Sequence, residues 1–279
     1  LLDLIVNISP DEDQLYVGLQ KSKATAVQHQ WNTDTLAAIS LVARVEGADA
    51  TFAARTNPTR SSNWTQIITS EFQVSSSDRA SNPAGFKDRY SYEMQKAMRE
   101  WRRFADYAVL RSTLISGTGS AARQMQGIKY AISTLSTAQS GVSLSENIMN
   151  TYLQNAWNQG GNVNMLLVGG TLKRRISGFT NTNTRFVNAD TKQVYNAIDT
   201  YDSDFGRVEV HKHRWVTVSG DNNLDIVGLE KEKWAIAHLD EPHYEEIAKT
   251  GLSSKGMIAG ELTVEARAEN SSFIGFAHL

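Results

Sequence analysis

Apolar side chains recur every three or four residues from about 83 to 115. Phe86, Tyr90, Met94, Ala97, Trp101, Phe104, Ala108 and Leu110 fall near one face of a 3.6-residue period. The spacing predicts one long helix with that face buried. Lys87, Asp88, Arg89, Gln95, Lys96, Arg99, Glu100, Arg102, Arg103 and Asp106 run between them, with Lys96 and Glu100, and Glu100 and Arg103, spaced to pair. That side belongs in water or against a polar partner. Asn82 suits the N-cap, Pro83 the first helical position, and Gly117 and Gly119 the stop. At ~1.5 Å per residue, such a helix is a rod of roughly 45 Å, a spine for a flat molecule.

Around this helix the pattern changes period. Residues 1–8 are an apolar run, broken at Ser9-Pro10-Asp11-Glu12-Asp13, where Ser9 or Asp11 could cap a turn. Over 25–31, Val27, His29 and Trp31 share a strand face, which reads as an extended arm. Trp31 anchors it either on the subunit's own body or on a neighbour. Segments 50–55 and 64–74 have strand composition, with Ile68, Phe72 and Val74 on one face and a polar turn at 56–63. Together they predict a long hairpin, and one that long needs support from the body or from another chain.

Beyond the spine, 123–133 is mixed and 134–143 is a Ser/Thr/Gln/Gly linker. Ser143 and Glu146 match a capping box for a helix through Ile148, Met149, Tyr152 and Ala156, stopped at Gly160-Gly161. The unbroken run 165–168 predicts a strand covered on both faces, followed by a short helix from Thr171 with Lys173, Arg174 and Arg175. Strands are expected at 193–198, 206–218, 224–229 and 234–239. In the last strand Ile258, Gly260, Leu262, Val264 and Ala266 alternate with Glu261, Thr263, Glu265 and Arg267.

Composition narrows the class. The chain has 279 residues, 41% hydrophobic and 21% charged, which describes a globular protein with room for one large domain or two. No apolar run reaches membrane-spanning length. A formal charge of −2, with no block of five like charges, excludes a strong general pull toward nucleic acid. The absence of cysteine removes disulfides and thiolate chemistry, in keeping with a reducing cytosol. Opening on Leu1 without a methionine implies that preceding sequence is missing.

Candidate chemistry is thin. His211 and His213 alternate on one strand but lack a third ligand, so exposed strand histidines are expected. Asp199, Asp202 and Asp204 could hold a hard cation, yet the loop lacks the ligand run of a calcium loop. Asp204-Phe205-Gly206 copies a kinase tripeptide without the accompanying loops. Gly169-Gly170-Thr171-Leu172-Lys173 lacks phosphate-loop spacing, and Gly117-Thr118-Gly119-Ser120 is no nucleophile elbow. No catalytic residue, cofactor or metal is expected.

The order of the pieces, from extended arm through long hairpin, spine helix and α/β insert to a return of alternating strands, resembles phage major head proteins of the Hong Kong 97 type. Local phrases carry the likeness to a tailed-phage branch: His29-Gln30-Trp31-Asn32-Thr33-Asp34-Thr35-Leu36, Glu46-Gly47-Ala48-Asp49-Ala50, Thr59-Arg60-Ser61-Ser62-Asn63-Trp64-Thr65-Gln66-Ile67, the segment 201–206, and Ala248-Lys249-Thr250-Gly251. The resemblance covers nearly the whole chain.

It implies an α+β capsid fold: 1–40 as N-terminal arm, 41–80 as extended loop, 81–142 with 221–279 as peripheral domain, and 143–220 as axial domain. It further implies a structural major capsid protein that assembles with itself into pentamers and hexamers of an icosahedral shell enclosing double-stranded DNA. Such a protein would be made in the bacterial cytoplasm and found in the virion. Scaffold, portal and decoration proteins are possible partners, and DNA contact would be weak and non-specific. Trp31, Arg55, Asn57, Arg60, Trp64 and Arg99 are the expected inter-subunit contacts, since Arg and Trp are favoured anchors. Some such proteins crosslink through a Lys–Asn isopeptide; Lys21, Lys23 and Lys87 are available, but no partner set is evident and none is expected. The alternatives are an encapsulin-like compartment shell, or a metal-dependent hydrolase or binding domain using Asp199, Asp202 and Asp204.

Overall fold

The computed structural model describes residues 14–50, 52, 54–81, 88–179, 199–217 and 224–278. Among the described residues the chain runs through α1 (Gln14–Gly18), β1 (Gln20–Lys23), β2 (Gln28–Thr33), β3 (Thr59–Trp64), β4 (Gln66–Ser75), α2 (Ser76–Ala80) and α3 (Arg89–Arg111). Then come α4 (Ile128–Ala131), β5 (Ser136–Ala138), α5 (Glu146–Asn158), β6 (Met165–Val168) and α6 (Gly170–Phe179). Six strands complete it: β7 (Thr200–Ser203), β8 (Gly206–Lys212), β9 (Leu224–Leu229), β10 (Trp234–Ile247), β11 (Ser253–Ala266) and β12 (Phe273–His278). Among the described residues no helix is long and apolar enough to cross a membrane.

The spine is α3, shorter than its periodicity suggested. Asp88 caps it, its carboxylate accepting from Tyr90 N at 3.1 Å and Ser91 N at 3.3 Å. At the other end Ser112 turns extended, and the chain doubles back through paired bonds between Ile115 and Gln124. Gly127 then lies against the helix end, where a Cβ would come within 2.9 Å of Arg111 N. Tertiary packing, not Gly117 or Gly119, ends the helix. Phe104, expected inside, is 48% exposed, and Asp106, expected in water, is fully buried.

β1, β10, β11 and β4 form a four-stranded sheet in that order, with only β1 and β10 parallel. Ile258, Gly260, Leu262 and Val264 are buried as their alternation required. α3 crosses this sheet, placing the buried Trp101 so that its indole donates to Ile68 O at 2.8 Å. Gly260 is needed beneath it, since a Cβ there would lie 2.7 Å from the ring.

The second sheet is mixed, in the order β5-β12-β9-β6-β8-β7. β6 is buried along its whole length for a concrete reason. Met165 and Leu167 join the core around Trp101 and Trp234, while Leu166 and Val168 join a second core around Met149, Leu172 and Phe273. α5 is capped by Ser145, which accepts from Ile148 N at 3.3 Å, and not by Ser143. It stops as expected, with Gly160 N and Gly161 N each donating at 2.9 Å to carbonyls of the last turn. The linker at 134–143 contains β5, which pairs with β12.

The expected hairpin is re-paired. Residues 50, 52, 54 and 55 carry no strand, and the supposed polar turn supplies β3. β3 runs antiparallel to β2 from Gln28↔Trp64 to Thr33↔Thr59, while β4 is taken by β11. A two-stranded ribbon with little buried surface needs only backbone ladders, so polar side chains suit it. The predicted features at 1–13, the caps Asn82 and Pro83, and the strand at 193–198 lie outside the described residues.

Candidate assembly surfaces

The root of the β2–β3 ribbon is bolted to the sheet. Asn63 is buried and donates to Val264 O at 2.8 Å and Gln126 O at 3.1 Å, while accepting from Gln126 N at 2.8 Å. Thr263 donates to Trp64 O at 2.8 Å, and the Trp31 indole donates to Ala266 O at 3.0 Å. Arg123 ties the junction to Glu261 and to Thr65 O. Trp31 is therefore an anchor on its own subunit's body.

The far end of the ribbon is different. Residues 34–58 carry no strand or helix where described, and their large apolar side chains face solvent. Leu36, Ile39, Leu41, Val42, Val45 and Phe52 are each at least 77% exposed. Soluble single chains rarely present such a concentration, and it marks an interaction surface. The sequence reading places 36–40 in the arm and 41–58 in the extended loop without singling out these apolar side chains. Arg55 and Asn57 are exposed at the return of this loop; Arg60 is exposed on β3, 3.4 Å from Gln30 Oε1. Trp64 is half-buried, and Arg99 lies exposed on α3.

Behind these surfaces sits a polar clasp that sequence reasoning missed. Asp106 Oδ1 accepts from Leu15 N at 2.8 Å and Tyr16 N at 3.0 Å, so the spine helix caps α1. Asp106 Oδ2 lies 2.5 Å from His213 Nε2, and both side chains are fully buried. His213 Nδ1 is buried without a partner, which puts the ring proton on Nε2. His213 is no exposed strand residue: β8 ends at Lys212, and His213 N donates to Val168 O. His211 remains at the surface, 3.2 Å from Glu209.

Two other histidines are buried. His278 Nδ1 donates to Val142 O and its Nε2 accepts from Tyr152 OH, both at 3.2 Å, and burial holds its pKa below the usual imidazole range. His238, 3.1 Å from Tyr16 OH, is lowered by burial first and by Lys21 second. Burial likewise lowers Lys21 itself, to about 8.

The acidic loop does not converge. Asp199 pairs with Lys173 at 3.2 Å, Asp202 with Arg207 at 3.7 Å, and Asp204-Phe205 is the turn between β7 and β8. Lys173, expected within a short basic helix, lies in α6, where it is buried and donates to Val210 O at 2.8 Å. Among the described residues no group of three His, Asp or Glu side chains could hold a metal ion.

The fold is a long helix on a largely antiparallel sheet, a second α/β core and a bolted ribbon with an apolar tip. Solved structures agree on the fold. The chain matches one from Microbacterium phage Oxtober96 with a TM-score of 0.67 at 13% identity, covering 100% of this chain and 94% of that one. It matches the capsid of a native GTA particle with a TM-score of 0.68 at 9% identity, covering 99% and 93%. The holo-SrpI encapsulin complex from Synechococcus elongatus gives a TM-score of 0.63 at 9% identity, covering 98% and 90%. No curated protein sequence matches. The chain belongs to the SU10 major capsid protein family, whose model matches residues 1–276. It is a structural bacteriophage capsid protein that assembles with its own copies into a shell, and its place is the virion.

Proposed function

We propose that this chain builds the pentamers and hexamers of an icosahedral head around double-stranded DNA, is assembled in the bacterial cytoplasm, and has no catalytic activity. On this reading 1–40 is the arm, 41–80 the extended loop, 81–142 with 221–279 the peripheral domain, and 143–220 the axial domain. Scaffold, portal and decoration proteins are its further partners.

The observation that carries the reading is the loop at 34–58. Fully burying a Val, Leu, Ile or Phe side chain is worth ~1.5–3 kcal/mol, so the exposed side chains of this loop hold on the order of 10 kcal/mol that only another molecule can realise. The loop lies across the neighbouring subunit, with Arg55, Asn57 and Arg60 at its edge, while Trp31 and Trp64 hold its root.

Paired Leu41→Ser and Phe52→Ser substitutions test this. The expected result is a subunit that melts normally but forms no shells by light scattering and negative-stain microscopy. Shells of normal size would overturn the loop's role. Particles that enclose protein cargo instead of nucleic acid would favour the encapsulin alternative, which the SrpI likeness motivates.

A further inference from the structure

β1 is an edge strand of the four-stranded sheet, and in front of it lies an open cleft of about 530 Å3. Its walls include Tyr16 of α1, Lys21 and Lys23 of β1, and His238, Glu241 and Pro242 of β10. Lys21 sits beside Ile236 and Lys23 beside His238, so the two lysine side chains leave the same face of β1. Tyr16 is held from two directions. Its ring packs edge-on against Trp101 at 5.5 Å, and its hydroxyl lies 3.1 Å from His238 Nε2. The Lys21 amine rests 3.8 Å from the centre of that ring and donates to Tyr16 O.

These surroundings set the amine apart. Lys96, Lys129, Lys173 and Lys231 each face a carboxylate, whereas among the described residues Lys21 is in no such pair. The charged and titratable groups around it are Lys23 on its own strand, His238 and Glu241 on β10, and Asp106 and Arg102 on α3. Burial works against the ammonium more strongly than the Asp106 carboxylate supports it, and brings the pKa of Lys21 down to about 8. At pH 7.5 roughly a quarter of such amines carry a free lone pair, against about one in a thousand for an ordinary lysine. His238, lowered in turn by burial and by Lys21, is an uncharged neighbour at that pH.

We propose that Lys21 is a nucleophilic amine and that the cleft in front of it admits small acyl thioesters, which acylate it. The uncharged nitrogen attacks the thioester carbonyl, the C–N bond forms, the C–S bond breaks, and the leaving thiolate takes up the proton shed by nitrogen. A neutral amide and a free thiol result. Partial loss of water activates a lysine in this way, and here an aromatic ring and an uncharged imidazole replace that water. The product suits the position, because burial already opposes charge there and an amide N–H can still donate to Tyr16 O. Carbon dioxide would instead leave a carbamate anion in the cleft that holds Glu241.

The test incubates unassembled full-length subunits with acetyl-coenzyme A from pH 6.5 to 9.5 and reads the acetylation rate of each lysine by peptide mass spectrometry. Lys23 shares the strand face and the cleft, so it controls for access. At pH 7.5 Lys21 should react about tenfold faster than Lys23, because weaker basicity cancels only part of a roughly 200-fold gain in free amine. The rate at Lys21 should level off above about pH 8, whereas a short unstructured lysine peptide is still climbing at the top of the range. In concentrated urea the cleft is gone, and the two lysines should react alike. A rate at Lys21 no greater than that at Lys23 overturns the proposal. So does an advantage that survives in urea, since it would then belong to the local sequence and not to the cleft.

Discussion

Replacing Asp106 strips the acceptor from three donors at once: Leu15 N, Tyr16 N and His213 Nε2. If nothing moves, alanine leaves each unsatisfied at ~1–3 kcal/mol, on the order of 3–9 in total. The subunit has a cheaper response. α1 can peel away and return its amides to water, losing the burial of Leu15 and Leu19, which are 0% and 4% exposed, at ~1.5–3 kcal/mol each. Release of a buried carboxylate offsets part of either route. We therefore expect about 4 kcal/mol for Asp106→Ala, a large share of the ~5–15 kcal/mol typical of a whole domain. Asparagine keeps an oxygen for the α1 amides but turns its NH2 toward His213, forcing the ring proton onto the unpartnered Nδ1; the expected cost is ~1–3 kcal/mol. Urea unfolding of the unassembled subunit measures both, and amide exchange at Leu15 and Tyr16 reports whether α1 has detached. Equal losses below ~1 kcal/mol in the two variants, with both amides still protected, would refute the clasp.

Two of the histidines, His238 and His278, make the subunit acid-sensitive. With their folded pKa values depressed by burial, the unfolded chain takes up these protons first, so stability is full above the ordinary pKa of ~6.5 and falls as pH drops below it. Melting curves between pH 7.5 and 5 should show this, and His278→Gln should flatten the dependence. Gly260→Ala drives a methyl to 2.7 Å from Trp101 and 3.1 Å from Pro242 Cα, and should cost ~1–3 kcal/mol by calorimetry with a change in the tryptophan near-ultraviolet signal. Trp31→Phe keeps a ring but removes the bond to Ala266 O; about 1 kcal/mol should be lost in denaturant, with faster amide exchange along β2.

Some of this architecture was legible because local pattern and tertiary environment agree. The period-two stretch at 258–266 and the unbroken apolar β6 are each read correctly, since each face they present is covered in the folded chain. Where a distant segment decides, the pattern misleads. By periodicity Asp106 belongs on the wet side of α3, yet α1 and His213, from far along the chain, close over it. The cap of α3 is Asp88, which the sequence reading places among the polar residues of the helix itself. β3 is too polar to look like a strand until β2, some thirty residues earlier, is seen beside it. The apolar tip at 34–58 is not singled out in the sequence, because its side chains show no period and stay exposed in the described chain.

That tip has a consequence for the life of a free subunit. Side chains such as Leu41 and Phe52 do not distinguish a correctly placed neighbour from any other greasy surface. If the tip seats on a neighbour as proposed, ordered growth and indiscriminate clumping draw on the same attraction, and both accelerate with subunit concentration. Slow supply favours growth, because a new subunit then meets a waiting rim more often than another stray. Chilling weakens hydrophobic attraction and slows both outcomes together.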